Sequence, residues 1–111
     1  MMRAAVRAAC LGIAMAATVP GGMTTASAKT VRIEVADLAL EPKAAAVQAG
    51  DTVEWVNNDF VDHTAMERRR RWEVIVPAGH AARIVLREAR TVDYYCRFHP
   101  QMTGTLRVKA R

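Results

Sequence analysis

Four side chains in the second half of the chain have types and spacing that could do metal chemistry. Cys96, His99 and Met102 fall at steps of three, directly after a run that reads as a β-strand. A loop leaving a strand can curl so that side chains three apart point at one centre, which here would see a thiolate, an imidazole and a thioether. His63, 33 positions before the cysteine, completes two histidines, one cysteine and a weak axial methionine. That donor set belongs to blue copper: soft sulfur suits Cu(I), imidazole suits both oxidation states, and no hard carboxylate is required. Zinc fits less well, because a thioether contributes little to it.

Each residue also has a plainer reading. A lone cysteine in a strand is usually a small buried hydrophobe, Met102 could be simple core, and a histidine such as His63 is more often a surface loop residue. The three-residue steps to His99 and Met102 overturn this for Cys96, and the stretch 57–65 favours the ligand reading of His63. For Met102 the core reading stays open, because an axial position can also be filled by glutamine or left weak. His80, after Gly79, reads as a solvated turn residue. Met66 reads as packing, and Trp55 and Trp72 as core anchors.

The elements that must position these groups are short and rich in β-branched residues. Val31, Ile33 and Val35 alternate with Arg32 and Glu34, the pattern of a half-buried strand. Further strands are expected over 45–48, 52–56, 72–76, 82–86, 92–96 and 104–109. Turn signals punctuate them at Pro42, Ala49-Gly50-Asp51, Asn57-Asn58-Asp59, Pro77-Ala78-Gly79 and Glu88-Ala89-Arg90. Seven to eight strands at this spacing predict an all-β sandwich with no helix in the working region.

The first 28 residues do not belong to that sandwich. Arg3 and Arg7 precede a nearly unbroken apolar run over 8–19, Pro20-Gly21-Gly22 breaks it, and Ala26-Ser27-Ala28 supplies small residues where a signal peptidase reads. This predicts a secretory signal peptide at 1–28, too short for a membrane span, and a single domain at 29–111. The product is expected to be periplasmic or secreted. Cleavage removes Cys10, so Cys96 is the only cysteine left and an intrachain disulfide is impossible. Small exported domains usually recruit a disulfide or a metal to supplement a modest core, and here a metal remains. Cleavage also leaves 14 basic residues against 11 acidic ones, a formal +3.

Gly50-Asp51-Thr52-Val53-Glu54-Trp55-Val56-Asn57-Asn58 with His63-Thr64-Ala65, and Tyr94-Tyr95-Cys96, His99-Pro100 and Met102-Thr103-Gly104, resemble the two ligand segments of the cupredoxins, especially the amicyanin and pseudoazurin type. The resemblance covers essentially all of 29–111. It implies a Greek-key sandwich with one type 1 copper ion near one end, held by His63, Cys96 and His99 as strong equatorial ligands and Met102 as the axial one. It departs from the family at Leu40, where many relatives have phenylalanine, and at Arg90, in a corner where glycine is usual.

The resulting expectation is an exported, monomeric electron carrier that docks transiently on redox proteins. His99 should present its ring edge to solvent within a small patch of Phe98, Pro100, Met66 and Gln101. Thr64 is the expected tie between the two ligand segments, helped by Asn57 or Asn58. The arginine run 68–71 reads either as a solvated turn or as a surface steering an acidic partner toward the copper end. The alternative function is a periplasmic copper carrier or chaperone that delivers the metal without redox turnover. An enzyme is not expected, since a second copper centre would need a histidine beside Cys96 and Tyr95 and Arg97 stand there. Nucleic-acid binding would need more basic surface interleaved with aromatics.

Overall fold

The computed structural model describes residues 27–111, together with Gly12 and Ala14 as isolated positions. The expected signal segment 1–28 lies almost wholly outside the described residues. Nine strands follow: β1 (Thr30–Ala36), β2 (Ala39–Glu41), β3 (Ala44–Gln48), β4 (Thr52–Asn57), β5 (His63–Glu67), β6 (Glu73–Val76), β7 (Ala81–Val85), β8 (Arg90–Tyr95) and β9 (Thr103–Lys109). None of the described residues is helical.

The strands form two sheets, ordered β2-β1-β4-β7 and β3-β9-β8-β5-β6. Both are mixed, with β1 parallel to β4 and β3 parallel to β9. Alternation along the strands decides what faces inward. Ile33 and Val35 from β1 and Val53 and Trp55 from β4 meet Ala45 and Val47, Val92 and Tyr94, and Leu106 and Val108 from the facing sheet. Trp55 crosses the interface, edge-on to Tyr94 at 5.5 Å, and its Nε1–H donates to the Tyr94 hydroxyl at 3.2 Å. Each large side chain buried in this way stabilises by about 1.5–3 kcal/mol. Trp72 packs beside Trp55 at 6.1 Å, as an anchor at this core should.

Two strands, β2 and β5, exceed the seven that alternation marks. β2 has only three residues and is fixed by its hairpin with β1. The two-residue turn between them, Asp37 and Leu38, has φ of 52° and 58°, the left-handed backbone that such hairpin loops require. β5 reads His-Thr-Ala-Met-Glu, with four of its five residues buried, so it lacks the polar-apolar rhythm of a half-exposed strand. Arg90 simply begins β8 without a positive φ, and Leu40 packs against the core.

Candidate metal centre

β5 and β8 are antiparallel neighbours, with Met66 opposite Tyr95. This brings the start of β5, His63, beside the end of β8, after which Cys96 is the next residue. The loop from Cys96 to β9 is built from consecutive turns. His99 N donates to Cys96 O at 3.2 Å, Met102 N to His99 O at 2.9 Å, and Cys96 N to Met102 O at 3.0 Å. A hydrogen bond from residue i+3 back to residue i is the mark of a β-turn, so the three-residue spacing of the candidate ligands is the turn spacing itself.

The result is a cluster. The candidate ligand atoms of His63, Cys96 and His99 all lie within 4.8 Å of one another. Cys96 Sγ is 3.6 Å from His63 Nδ1 and 3.8 Å from His99 Nδ1, and the two imidazoles stand at 61° with centroids 5.2 Å apart. A first-row ion bonded to sulfur at about 2.3 Å and to nitrogen at about 2.0–2.1 Å, with angles near 110–120°, separates those atoms by about 3.6–3.8 Å. The residues present fit such an ion. His63 and Cys96 are buried and His99 is half-buried. Met102 closes the loop with a buried side chain.

Polar groups behind the cluster hold it in place. Thr64 ties the two ligand segments twice: its N–H points at Cys96 Sγ at 3.4 Å, and its hydroxyl oxygen accepts Arg97 N–H at 2.8 Å. Asn57 is the asparagine that helps, from the His63 side. Its amide donates to Val61 O and Val76 O, and its carbonyl oxygen accepts Asp59 N–H. Asn58 bonds Glu34 instead.

Asp59 is the contributor that sequence reading missed, having passed as part of a polar loop. Its Oδ2 lies 2.8 Å from His63 Nε2, and the same carboxylate accepts the N–H groups of Asp37 at 2.6 Å and Leu38 at 3.2 Å. With Nε2–H donating to the carboxylate, the Nδ1 lone pair is left facing the sulfur. Burial opposes the ionised carboxyl, but the bonds from His63, Leu38 and Asp37 outweigh it and hold Asp59 below the usual carboxylate range. The signal available in sequence was a carboxylate four residues before a candidate ligand, of the kind that orients metal-bound imidazoles.

Of the residues expected to surround His99, Phe98 is 53% exposed, Pro100 and Gln101 are exposed and Met66 is half-buried. Phe60, wholly exposed, and Val61 add apolar surface on the loop that leads to His63. His80 is an exposed turn residue. The arginine run is not next to His63: it forms the turn at the opposite end of β5, five residues or roughly 16 Å away along the strand. Arg70 there has φ of 59°, Arg71 N–H donates to the buried Glu67 carboxylate, and Arg68 lies 5.4 Å over the ring of Tyr95, the residue before Cys96.

A family model described as "Cupredoxin-like domain" matches residues 4–108. Among solved structures, a proline-to-alanine mutant of amicyanin in its oxidised state shares 26% identity at a TM-score of 0.66, over 72% of this chain and 82% of that one. Amicyanin from Paracoccus versutus (Thiobacillus versutus) shares 28% at a TM-score of 0.64, over 72% and 81%. The reduced Cu(I) form, at pH 4, of a proline-to-glycine mutant of amicyanin shares 26% at 0.64, over 72% and 82%.

Proposed function

The chain belongs to the cupredoxin-like domain family, and from that premise we propose that it is an exported blue-copper protein carrying single electrons between redox partners. His63 and His99 through Nδ1, Cys96 through its thiolate, and Met102 through its thioether would hold one type 1 copper ion. When bound, copper supplies a reversible one-electron couple. The residues supply constancy of geometry, because an electron carrier must change oxidation state without moving its ligands. The observation that carries this reading is the 3.6 and 3.8 Å spacing of Cys96 Sγ from the two Nδ1 atoms. Those atoms belong to turns and strand ends anchored by Thr64, Asn57 and Asp59, so the site is pre-organised.

His99 is the half-buried ligand, and the apolar residues around it suit brief docking and release. The arginine turn at 68–71 suits an acidic redox protein, with Arg68 and Tyr95 reaching back toward the ligand loop. No helix among the described residues is long and apolar enough to cross a membrane. The segment 1–28 would direct the precursor out of the cytoplasm and be removed, leaving 29–111 as a monomer.

The test is to purify the exported protein with copper and record its visible and electron paramagnetic resonance spectra and its voltammogram. An intense thiolate-to-copper band with a reversible one-electron wave is expected, and Cys96→Ser should abolish the band while the domain stays folded. Retention of the colour by that variant would sink the assignment. Transfer of Cu(I) to an acceptor with no redox turnover would favour metal delivery instead.

A further inference from the structure

Asp51 stands in the turn before β4, at the end of that strand opposite Asn57, and is buried and fully engaged. Its side chain is 4% exposed. Oδ1 accepts the backbone N–H of Lys29 at 2.9 Å and Arg111 Nη2 at 2.6 Å, and Oδ2 accepts Gln48 N–H at 3.0 Å. The neighbouring Thr52 N–H donates to Lys29 O at 2.9 Å. Lys29 is therefore gripped on both sides of its backbone, one residue before β1 begins. Residues 27–29 are exposed and outside any strand, which leaves the Ala28–Lys29 bond open to a protease.

We propose that Asp51 is a receptor for the free N-terminus of the processed chain, so that removal of the leader creates an ion pair that the precursor lacks. This rests on the reading of 1–28 as a cleaved signal. Hydrolysis consumes one water: the Ala28–Lys29 C–N bond breaks, the departing Ala28 keeps the oxygen as a carboxylate, and the Lys29 nitrogen takes up protons to become an ammonium. That nitrogen is the atom already 2.9 Å from Asp51 Oδ1. A neutral amide donor becomes a charged one without a change of place, and charge-assisted hydrogen bonds are roughly twice as strong as neutral ones. The carboxyl is held below the usual carboxylate range, first by the Lys29 N–H, then by Gln48 N–H and Arg111 against the effect of burial, so it is ionised wherever the terminus is charged. Cations stand close by, with Arg111 on the same carboxylate and Lys29 and Lys109 lining the same cleft, and they oppose the pairing.

The sign of the pH dependence follows. A terminus paired with Asp51 holds its proton more tightly folded than unfolded, so its contribution is full below the usual α-amino value of about 7.7–8.0 and disappears as pH rises through the raised folded value.

The experiment begins with the intact mass of the exported protein, expected to start at Lys29. Chain 29–111 with a free amine is then compared with chain 27–111, which keeps Ser27 and Ala28, and with the same 29–111 chain acetylated on its terminus. Thermal midpoints near neutral pH should be higher for the free-amine chain by about 2–6 °C, the gap should close in alkali, and Asp51→Asn should remove it. NMR titration of Lys29 labelled with 15N, which needs no variant to fold, should place the α-amine above its usual value. An ordinary titration, equal midpoints for the three chains, or a mature protein that begins at another residue would each overturn the proposal. The copper spectrum of the same samples is independent of all three, so failure here and failure of the blue-copper reading are distinguishable.

Discussion

With copper bound as proposed, two residues around the sulfur and the buried imidazole would set the balance between Cu(II) and Cu(I). Asp59 places a carboxylate 2.8 Å from His63 Nε2, and a negative charge behind a ligand favours the more highly charged metal. Asp59→Asn removes that charge and nearly no volume. The midpoint potential should rise, with a tenfold shift in the preference for Cu(I) reading as about 59 mV for one electron, while the visible band remains. Pro100 has no N–H to offer the sulfur, and Thr64 supplies the donor that is present, at 3.4 Å. Pro100→Ala adds an N–H to the ligand loop, and a hydrogen bond from it would draw charge from the thiolate. Voltammetry should again show a higher midpoint, and a lower or unchanged value would count against that account.

At the scale of elements, the sandwich is pinned where β4, β8 and β9 meet. Gly104 lies directly across from Tyr94 in the β8–β9 ladder, and a Cβ there would collide with the Cζ and hydroxyl end of the Tyr94 side chain. The glycine is demanded by close approach rather than by backbone conformation. Gly104→Ala must displace the ring and disturb its contact with Trp55, and denaturant unfolding should show a loss of about 1–3 kcal/mol, the usual cost of overpacking. The same Tyr94 has its phenol raised to about 12, by burial against the smaller opposing effect of its bond from Trp55. The folded state thus holds that proton more tightly than the unfolded one. Its contribution is intact below the unfolded value of about 10 and is lost as pH climbs toward about 12. Ultraviolet titration should find Tyr94 silent until that upper range, with stability of the domain falling across the same interval.

At the scale of the whole molecule, the proposed docking on redox proteins would be divided between a basic turn and exposed apolar residues. The formal +3 expected for 29–111 is concentrated at 68–71, where Arg68 leans over Tyr95. Reversing Arg68 and Arg69 to glutamate takes the formal charge from +3 to −1. Association with an acidic redox protein should slow by about tenfold or more at low ionic strength, and the difference should shrink as salt screens it. Stopped-flow rates that ignore both the substitution and the salt would assign this turn to solvation alone. The exposed apolar residues lie elsewhere, Phe98 and Pro100 on the ligand loop and Phe60 and Val61 on the loop that leads to His63, where shape and dehydration would govern a partner's dissociation more than its approach.

The class of fold and the candidate ligands were legible in the sequence, because both are written in local patterns. Period-two alternation marks strands such as β1 and β9 without reference to any neighbour, and the Cys96, His99, Met102 steps are the repeat of consecutive turns. What alternation cannot mark is a strand buried on both faces, so β5 was legible only as a stretch containing His63 and Thr64. Only the fold reveals that Asp59 bonds His63, that Asp51 bonds the Lys29 N–H, and that the arginine turn stands a strand's length from the histidine it neighbours in sequence. Each of these depends on which strands pair and in what register. Those are relations between distant segments, set by burial summed over the whole sandwich and not by the preference of any one residue.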